Sequence, residues 1–145
     1  MKRIFRIATL LTVVFLTLPA VSRADEAADK TAIQAVITAI NDHQPTAPLL
    51  TTETANTPEE LVHITELERL MDSSSAPMSE KLPPKLVARS IRFITQEIAI
   101  LEAESIQLAA VSFRTIPVLF VMKKEGTSWR IASFRMLRPA QLLGL

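Results

Sequence analysis

Two glutamates in the second half of the chain are the residues best suited to acid–base chemistry. Glu102 and Glu104 are two positions apart in a run of alternating character, so on a strand both side chains project from one face. They share that face with Ile98, Ile100 and Ile106. If the face lined an apolar pocket, burial would strengthen a carboxyl group's hold on its proton and suit it to base catalysis or ligand binding. The alternative is that both acids are exposed partners of basic residues on neighbouring strands.

The remaining residue types give no support for metal or nucleotide chemistry. There is no cysteine, and the only histidines, His43 and His63, are too far apart in the sequence to form a metal-ligand pair. The chain also lacks a G-x-S-x-G motif, a phosphate-binding glycine loop and a dinucleotide-binding fingerprint. We therefore expect neither a metal nor a cofactor. His63 either faces the mouth of a pocket or is a partly exposed, hydrogen-bonded helix residue.

The first half of the chain has the periodicity of helices. Residues 25–41 carry apolar groups at helical spacing after an acidic start, which predicts a long amphipathic helix. The stretch from Thr57 to Glu60 supplies a capping residue, a first-turn proline and a capping-box glutamate. It predicts a second helix from Pro58 to about Met71.

Three segments of this half have other interpretations. Residues 61–65 contain enough β-branched and apolar residues to form a strand, which is the alternative to the second helix. Residues 43–56 have no sustained period and predict a loop with one short turn near Leu49. Residues 72–84, rich in serine and proline, predict a linker over the surface.

From residue 85 onward the hydrophobic period changes from helical spacing to two. It predicts four strands, at residues 87–94, 98–107, 114–123 and 128–137, with a tight glycine-containing turn before the last. Simple alternation places Trp129, Ile131, Ser133 and Arg135 on one face of the last strand and Arg130, Ala132, Phe134 and Met136 on the other. In the first strand it groups Val87 and Arg89 with Ile91 and Phe93. Helices followed by an antiparallel meander indicate an α+β fold.

The amino-acid sequence of these strands resembles the SnoaL-like branch of the nuclear transport factor 2-like superfamily. The resemblance is carried by Ser90-Ile91-Arg92-Phe93-Ile94, by Pro117-Val118-Leu119-Phe120-Val121, and by the stretch from Trp129 to Arg135. It implies a cone in which N-terminal helices pack on a curved antiparallel sheet around a pocket, with a middle region, residues 43–84, shorter than in the family. It also implies a homodimer that pairs through the sheet.

The resemblance assigns roles to a few residues of the last strand. Relatives often carry a histidine-asparagine pair after the phenylalanine of this strand, where Arg135 and Met136 stand here. Arginine stays protonated and cannot act as a base, so Arg135 either binds an anionic ligand in the pocket or forms an ion pair within the sheet. Trp129 is a packing residue of the core or the pocket rim. The chain has no tyrosine, the usual partner of the base in isomerases of the superfamily.

The N-terminus has the layout of a secretory signal peptide. Basic residues precede an apolar run over residues 7–18, followed by Pro19 and a small-residue cleavage site ending at Ala24. The run is too short to span a membrane, and without cysteine there is no site for acylation. We therefore expect export to the periplasm or secretion, with no stable membrane anchor after removal of residues 1–24.

The mature chain is one domain, residues 25–145, with a helical part over residues 25–84 and a sheet over residues 85–138. Removal of residues 1–24 takes four of the 16 basic residues and none of the 15 acidic ones, so the net charge becomes −3. This charge does not indicate nucleic-acid binding. We expect an exported domain that binds a small apolar or anionic ligand. The alternatives are an isomerase, dehydratase or cyclase using Glu102 or Glu104 as base, and a noncatalytic interaction protein of the cell envelope.

Overall fold

A computed structural model describes residues 19–72, 84–109 and 112–137 of the chain. The helices are α1 (Pro19–Asn41), a 3₁₀ turn (Ala47–Leu49), α2 (Thr52–Ala55) and α3 (Pro58–Met71). The strands are β1 (Lys85–Phe93), β2 (Ile98–Ala109), β3 (Ser112–Glu125) and β4 (Ser128–Met136). The α+β prediction is confirmed, and so is the helix from Pro58, which makes the strand alternative over residues 61–65 wrong.

Two predicted segments lie largely outside the described residues. These are the signal segment, residues 1–24, and the linker, residues 72–84. Among the helices that the structure describes, none is long and apolar enough to cross a membrane.

The four strands form one antiparallel sheet in the order β1-β2-β3-β4. Its centre is the β2–β3 pair, which keeps a single register from Ile98 opposite Lys123 to Ala109 opposite Ser112. The two outer strands are shorter, so β1 and β4 are the edges of the sheet and the β2–β3 hairpin extends beyond both of them.

Each edge strand contains one extra residue. In β1, Ala88 pairs with Ala103 but Ser90 pairs with Glu102, which leaves Arg89 as a bulge. In β4, Ile131 pairs with Met122 and Ser133 with Val121, so the β-bulge falls at Ala132.

A bulge reverses the facing of every later residue in its strand. The face of β4 that packs on the helices therefore carries Trp129, Ile131, Phe134 and Met136, and the predicted grouping of Trp129 with Ser133 and Arg135 is wrong. The predicted grouping of Val87 with Ile91 is wrong for the same reason, because the core face of β1 carries Leu86, Ala88, Ile91 and Phe93.

One face of the sheet packs against the helices. Helix α1 contacts β1 and β4, and α3 contacts β4. The rings of Phe120 and Phe134 are fully buried side by side, with 5.1 Å between their centres. Fully buried Ile33, Leu67 and Met122 also belong to this core. Each such side chain contributes roughly 1.5–3 kcal/mol on burial, which must stabilise a chain without disulfides.

The threonines of the middle region form an ordered connection to β4. Thr51 caps α2 by accepting a hydrogen bond from the Thr54 amide, 3.1 Å, and both threonines are buried. The Thr51 amide donates to the Ile131 carbonyl at 3.0 Å, and the Thr54 hydroxyl donates to the carbonyl of Ala132 at 2.8 Å. The residue that interrupts the β4 ladder therefore has its carbonyl satisfied by α2, a helix that the sequence did not predict.

Helix α1 ends in a Schellman-type turn whose left-handed residue is a histidine. Gln44 donates to the carbonyl of Ala39 and His43 to that of Ile40, both at 3.0 Å. His43 has φ 54, a backbone conformation that glycine adopts without the cost that a side chain imposes.

We expect His43→Gly to stabilise the protein by about 1 kcal/mol, because it removes this backbone strain at the helix end. Urea denaturation followed by circular dichroism measures the change. His63→Gly is the matched control. The same substitution inside α3 should instead destabilise by about 1 kcal/mol, since glycine is a poor helix former. A loss of stability in both variants would contradict the strain argument.

Candidate functional site

The carboxylate of Asp29 is a polar group that joins the helices to the sheet beside a cleft. Its Oδ1 accepts hydrogen bonds from Lys124 Nζ at 2.8 Å and from Trp129 Nε1 at 2.9 Å. Asp29 lies on α1, Lys124 near the end of β3 and Trp129 near the start of β4. The group thus joins one helix to two strands.

Local structure brings the lysine and the tryptophan together. Lys124 and Trp129 are directly paired across the β3–β4 hairpin, whose two-residue turn has Gly126 at φ 63, a conformation that favours glycine. The ammonium lies 5.8 Å from the centre of the indole ring, a cation–π distance. Phe93 contacts the same indole edge-on at 5.7 Å, which fixes the ring in place.

These bonds hold Asp29 in its charged form. The hydrogen bond from Lys124 is the main cause that lowers the pKa of Asp29, and the bond from Trp129 adds to it. Burial opposes them by raising the pKa, but the net direction is downward. Asp29 is therefore an ionised, largely covered acceptor at neutral pH.

A surface cleft of about 430 Å³ opens beside this group. Its wall includes residues 25–29 in the N-terminal half of α1, the end of β1 and the β1–β2 turn. The lining residues are Asp25, Glu26, Ala28, Asp29, Phe93, Ile94, Thr95, Gln96 and Lys124. It combines three carboxylates and one ammonium with apolar surface, so its charge is net negative.

A second cleft of similar size, about 430 Å³, lies between the ends of α1 and α3. Its floor is apolar, with Ile40, Leu67 and Met71, and its rim carries His43 and Glu68. The carboxylate of Glu68 already accepts a hydrogen bond from the Thr46 hydroxyl. Glu68 is thus held by the loop between α1 and α3.

Arg135, the predicted anion-binding residue, is engaged by an acid of α3. Its Nη1 and Nη2 donate to the two oxygens of Glu60 at 3.0 and 2.8 Å, a bidentate pair. The Arg135 guanidinium lowers the pKa of Glu60, and Glu60 raises that of Arg135. The guanidinium thus forms an ion pair, the alternative reading of this residue, but with a helix rather than within the sheet.

Glu102 and Glu104 lie together on the sheet face that carries no helix. Glu104 accepts a hydrogen bond from Arg89 Nε at 2.8 Å, and exposed Glu102 accepts one from the Ser90 hydroxyl at 2.8 Å. Neither acid lines either of the two clefts. Glu104 has a basic partner of the kind that the surface interpretation predicts, whereas Glu102 bonds to a serine.

The two remaining candidates are a helix residue and a core residue. His63 is half-buried on α3, with Nδ1 3.4 Å from a carboxylate oxygen of Glu66. Trp129 is buried, as the packing interpretation predicts, and its indole N–H is satisfied by Asp29. Within the described ranges no group of three or more histidine, aspartate and glutamate side chains could hold a metal ion.

Sequence reasoning missed Asp29 and Lys124 as site residues. Asp29 was assigned to the acidic start of a helix, and Lys124 to a hairpin turn. No local motif links two residues that are 95 positions apart. Only the docking of α1 across the β3–β4 hairpin brings them into contact.

We expect Asp29→Asn to destabilise the protein by about 1 kcal/mol at neutral pH, because asparagine accepts from Trp129 but has no charge for Lys124. The pKa of Asp29 is lowered in the folded state. The charge therefore stabilises the fold fully above the ordinary aspartate range, about pH 4, and this contribution disappears as the pH falls through the lowered folded value.

Urea unfolding between pH 7 and pH 2 measures both effects. Wild type and Asp29→Asn should converge in stability at the acid end of this range. Glu59→Gln, an exposed acid in the first turn of α3, serves as the control and should follow the wild type more closely. A difference between wild type and Asp29→Asn that stays constant with pH would show that the charge of Asp29 contributes nothing.

Comparisons with protein-family models, with curated proteins and with solved structures found no match for this chain.

Proposed function

We propose that the protein is an exported, noncatalytic binding domain of the SnoaL-like type that takes a small, partly apolar organic cation in the cleft beside Asp29. The observation that carries the proposal is the acidic cleft beside Asp29, in which three carboxylates outnumber one ammonium. Export to the periplasm or secretion is supported by the layout of residues 1–24.

The charge of the cleft selects the sign of the ligand. Asp25, Glu26 and Asp29 line it against the single ammonium of Lys124. One carboxylate is neutralised by Lys124, and Glu26 pairs with Lys30 at 2.7 Å, while Asp25 has no ion pair among the described residues. A cationic ligand therefore gains an anion that has no ion pair among the described residues. Removal of residues 1–24 leaves an α-ammonium on Asp25, and the three carboxylates of the cleft still outnumber its two cations.

The apolar wall supports an organic ligand rather than a simple ion. Phe93 is half-buried and Ile94 is 55% exposed, so a ring or alkyl group has surface to cover. An ammonium beside Phe93 would also gain a cation–π contact. The volume of about 430 Å³ falls in the usual range for small-molecule sites.

The order of the elements supports the SnoaL-like part of the proposal, since helices precede a four-stranded antiparallel meander. The packing of side chains between the sheet and the helices supports a ligand site outside this core. Phe120, Phe134 and Met122 are each fully buried beneath the helices. The small anion expected at Arg135 would compete with Glu60 for the guanidinium.

We expect benzyltrimethylammonium to raise the thermal midpoint of the protein saturably, because a ligand bound only by the folded state stabilises it by mass action. Isothermal titration should show one site. The charge reversal Asp25→Lys should weaken binding at least about tenfold, since it replaces an attractive charge by a repulsive one in the cleft. Phenylacetate, an anion of similar size, should give no shift.

The control variant is Glu59→Lys, the same reversal at an exposed acid in the first turn of α3, outside both clefts. It should bind the cation as the wild type does. Equal loss of binding in the two variants would reveal a response to net charge alone, and the cleft proposal would then be abandoned. The absence of any saturable shift would have the same consequence.

A homodimer is the second part of the proposal, and a separate observation supports it. On either side of Glu102 and Glu104, the sheet face opposite the helices carries apolar side chains along its two central strands, namely Ile98, Ile100, Ile106, Phe113, Pro117, Leu119 and Val121. Phe113 is 69% exposed and Ile98 37% exposed. No described element packs on this face, and exposed bands of this kind mark interaction sites.

The size of the face is compatible with pairing between two copies. Four strands at about 4.8 Å spacing, overlapping over roughly nine residues, present about 600 Å² in projection. A stable interface buries about 800 Å² of accessible surface on each partner. The accessible area of this face exceeds its projected area because side chains protrude from it, which brings it close to that size. Face-to-face pairing of identical sheets also satisfies the closed two-fold symmetry common in homodimers.

We expect Val121→Arg to convert the dimer to a monomer, because it places a charge on the apolar face at a position whose cross-strand partners, Ile100 and Ser133, carry no opposite charge. Light scattering at tens of micromolar measures the mass. Val62→Arg, at a position of α3 that is 61% exposed, is the matched control and should remain dimeric. A wild-type protein that is monomeric under these conditions would refute the dimer and leave the ligand proposal untouched.

A further inference from the structure

The two edges of the sheet differ in how other segments of the chain bond to them. At the β4 edge the Leu50 segment forms a parallel bridge with Ile131, and Thr54 bonds to the carbonyl of Ala132. Arg130 of the same strand also donates to the carbonyl of Pro48 at 3.0 Å. The middle region of the chain therefore covers residues 130–132 of β4, and a further strand has no place to pair along that part of the edge.

The β1 edge has a single described contact of this kind. The side-chain amide of Asn41 donates to the Leu86 carbonyl at 2.9 Å and accepts from the Leu86 amide at 2.8 Å. The amide reproduces the pattern that one peptide group of a neighbouring strand would make. It also shows that the backbone groups of Leu86 point away from β2.

The register identifies the other backbone groups that face outward. Ile94 donates to the Ile98 carbonyl at 2.8 Å, so this pair bonds inward. In an antiparallel ladder, inward and outward pairs alternate, which makes Phe93 and Ile91 outward-facing. Ala88 is outward-facing by the same count from Leu86. Among the described residues, none bonds to the outward backbone groups of these three positions.

The side chains of this strand are cationic. β1 contains Lys85, Arg89 and Arg92 and no acidic residue. Arg89 is paired with Glu104, whereas Lys85 and Arg92 are exposed and have no ion pair within the described part of the chain. Two β1 edges brought together would place cations against cations, which disfavours pairing with a second copy. An acidic strand beside β1 would instead place carboxylates against these cations, which favours pairing.

We propose that the open edge of β1, from Ala88 to Phe93, binds an extended acidic peptide segment of a partner protein as a fifth strand. The backbone groups of Ala88, Ile91 and Phe93 supply the hydrogen bonds, as in other cases of strand addition to an exposed edge. Arg92 selects acidic side chains at the position opposite it. The site shares only Phe93 with the cleft and no residue with the apolar face, and it uses the backbone of Phe93 rather than its ring, so it does not depend on either proposal above.

The first test is binding of fluorescein-labelled peptides of about ten residues, followed by anisotropy. An alternating glutamate–valine peptide should bind saturably and more weakly as salt is raised, and the lysine–valine counterpart should not bind. N-methylation of alternate residues along one edge of the acidic peptide, made in each of the two registers, should abolish binding in one register because the methyl groups remove the donors of the new ladder. Equal binding of the acidic and basic peptides, or full binding with both methylated peptides, overturns the proposal.

Arg92→Glu should weaken the acidic peptide at least about tenfold, since one attractive pair becomes repulsive. Lys123→Glu, an equal charge reversal at a lysine of β3 that is 43% exposed, is the matched control and should change affinity much less. Similar losses in the two variants would indicate a response to overall charge and overturn the assignment to β1.

Amide hydrogen exchange distinguishes strand pairing from a nonspecific attraction between charges. On addition of the acidic peptide, exchange at Ala88, Ile91 and Phe93 should slow, whereas Val87 and Arg92, which bond inward to β2, should change little. Protection that fails to alternate along β1, or that appears elsewhere, overturns the proposal.

Discussion

The burial of Phe134 against Phe120 depends on one extra residue in β4. Without the bulge at Ala132, strict alternation would turn Phe134 away from the helices whenever Trp129 faces them. With it, both aromatic side chains enter the same core. The bulge at Arg89 does the same for β1, so that Leu86 and Phe93 share the buried face. The central strands need no such device, and both bulges fall in the strands at the edges, where the ladder is paired on one side.

The polar contacts between helices and sheet follow from this arrangement. Because Trp129 faces inward, its indole N–H meets the carboxylate of Asp29 on α1. Because Arg135 follows the bulge, it lies beside Glu60 of α3 instead of joining Trp129 in the core. These two contacts attach both long helices to β4. In a chain without cysteine, such contacts and the packed core have to hold the layers together.

The uneven charge of the sequence has a counterpart in the fold. Residues 25–84 are predominantly acidic and residues 85–145 predominantly basic, and ion pairs join the two parts. Asp29 pairs with Lys124, Glu60 with Arg135 and, at 3.8 Å, Glu53 with Lys123. The acids of the helices thus lie against bases of the sheet. Among the charged groups outside these three ion pairs, acids line the cleft beside the N-terminal half of α1 and bases lie along the β1 edge.

The sequence by itself determined the elements, because capping residues and hydrophobic period act locally. Pro58 marks the start of α3 correctly, and alternation with Gly126 predicts the β3–β4 hairpin. The predicted capping box does not form, because the Thr57 hydroxyl donates to the Glu53 carbonyl and Glu60 pairs with Arg135. The pairing of Glu102 and Glu104 on one face was also predictable, since β2 has no bulge. Short α2 was not, because its stability comes from Thr54 reaching the carbonyl of Ala132 rather than from any period in its own four residues.

Only the tertiary structure decided which face of each edge strand is buried and which charged groups meet. In β4 the bulge coincides with a change of phase in the large apolar residues, from Trp129 and Ile131 to Phe134 and Met136, but two apolar faces on a regular strand would give the same pattern. The contact of Asp29 with Lys124 joins residues 95 positions apart. It exists because α1 crosses the sheet at the β3–β4 hairpin. Side-chain types along one strand carry no information about such a crossing, since it depends on how the buried faces of helix and sheet fit together.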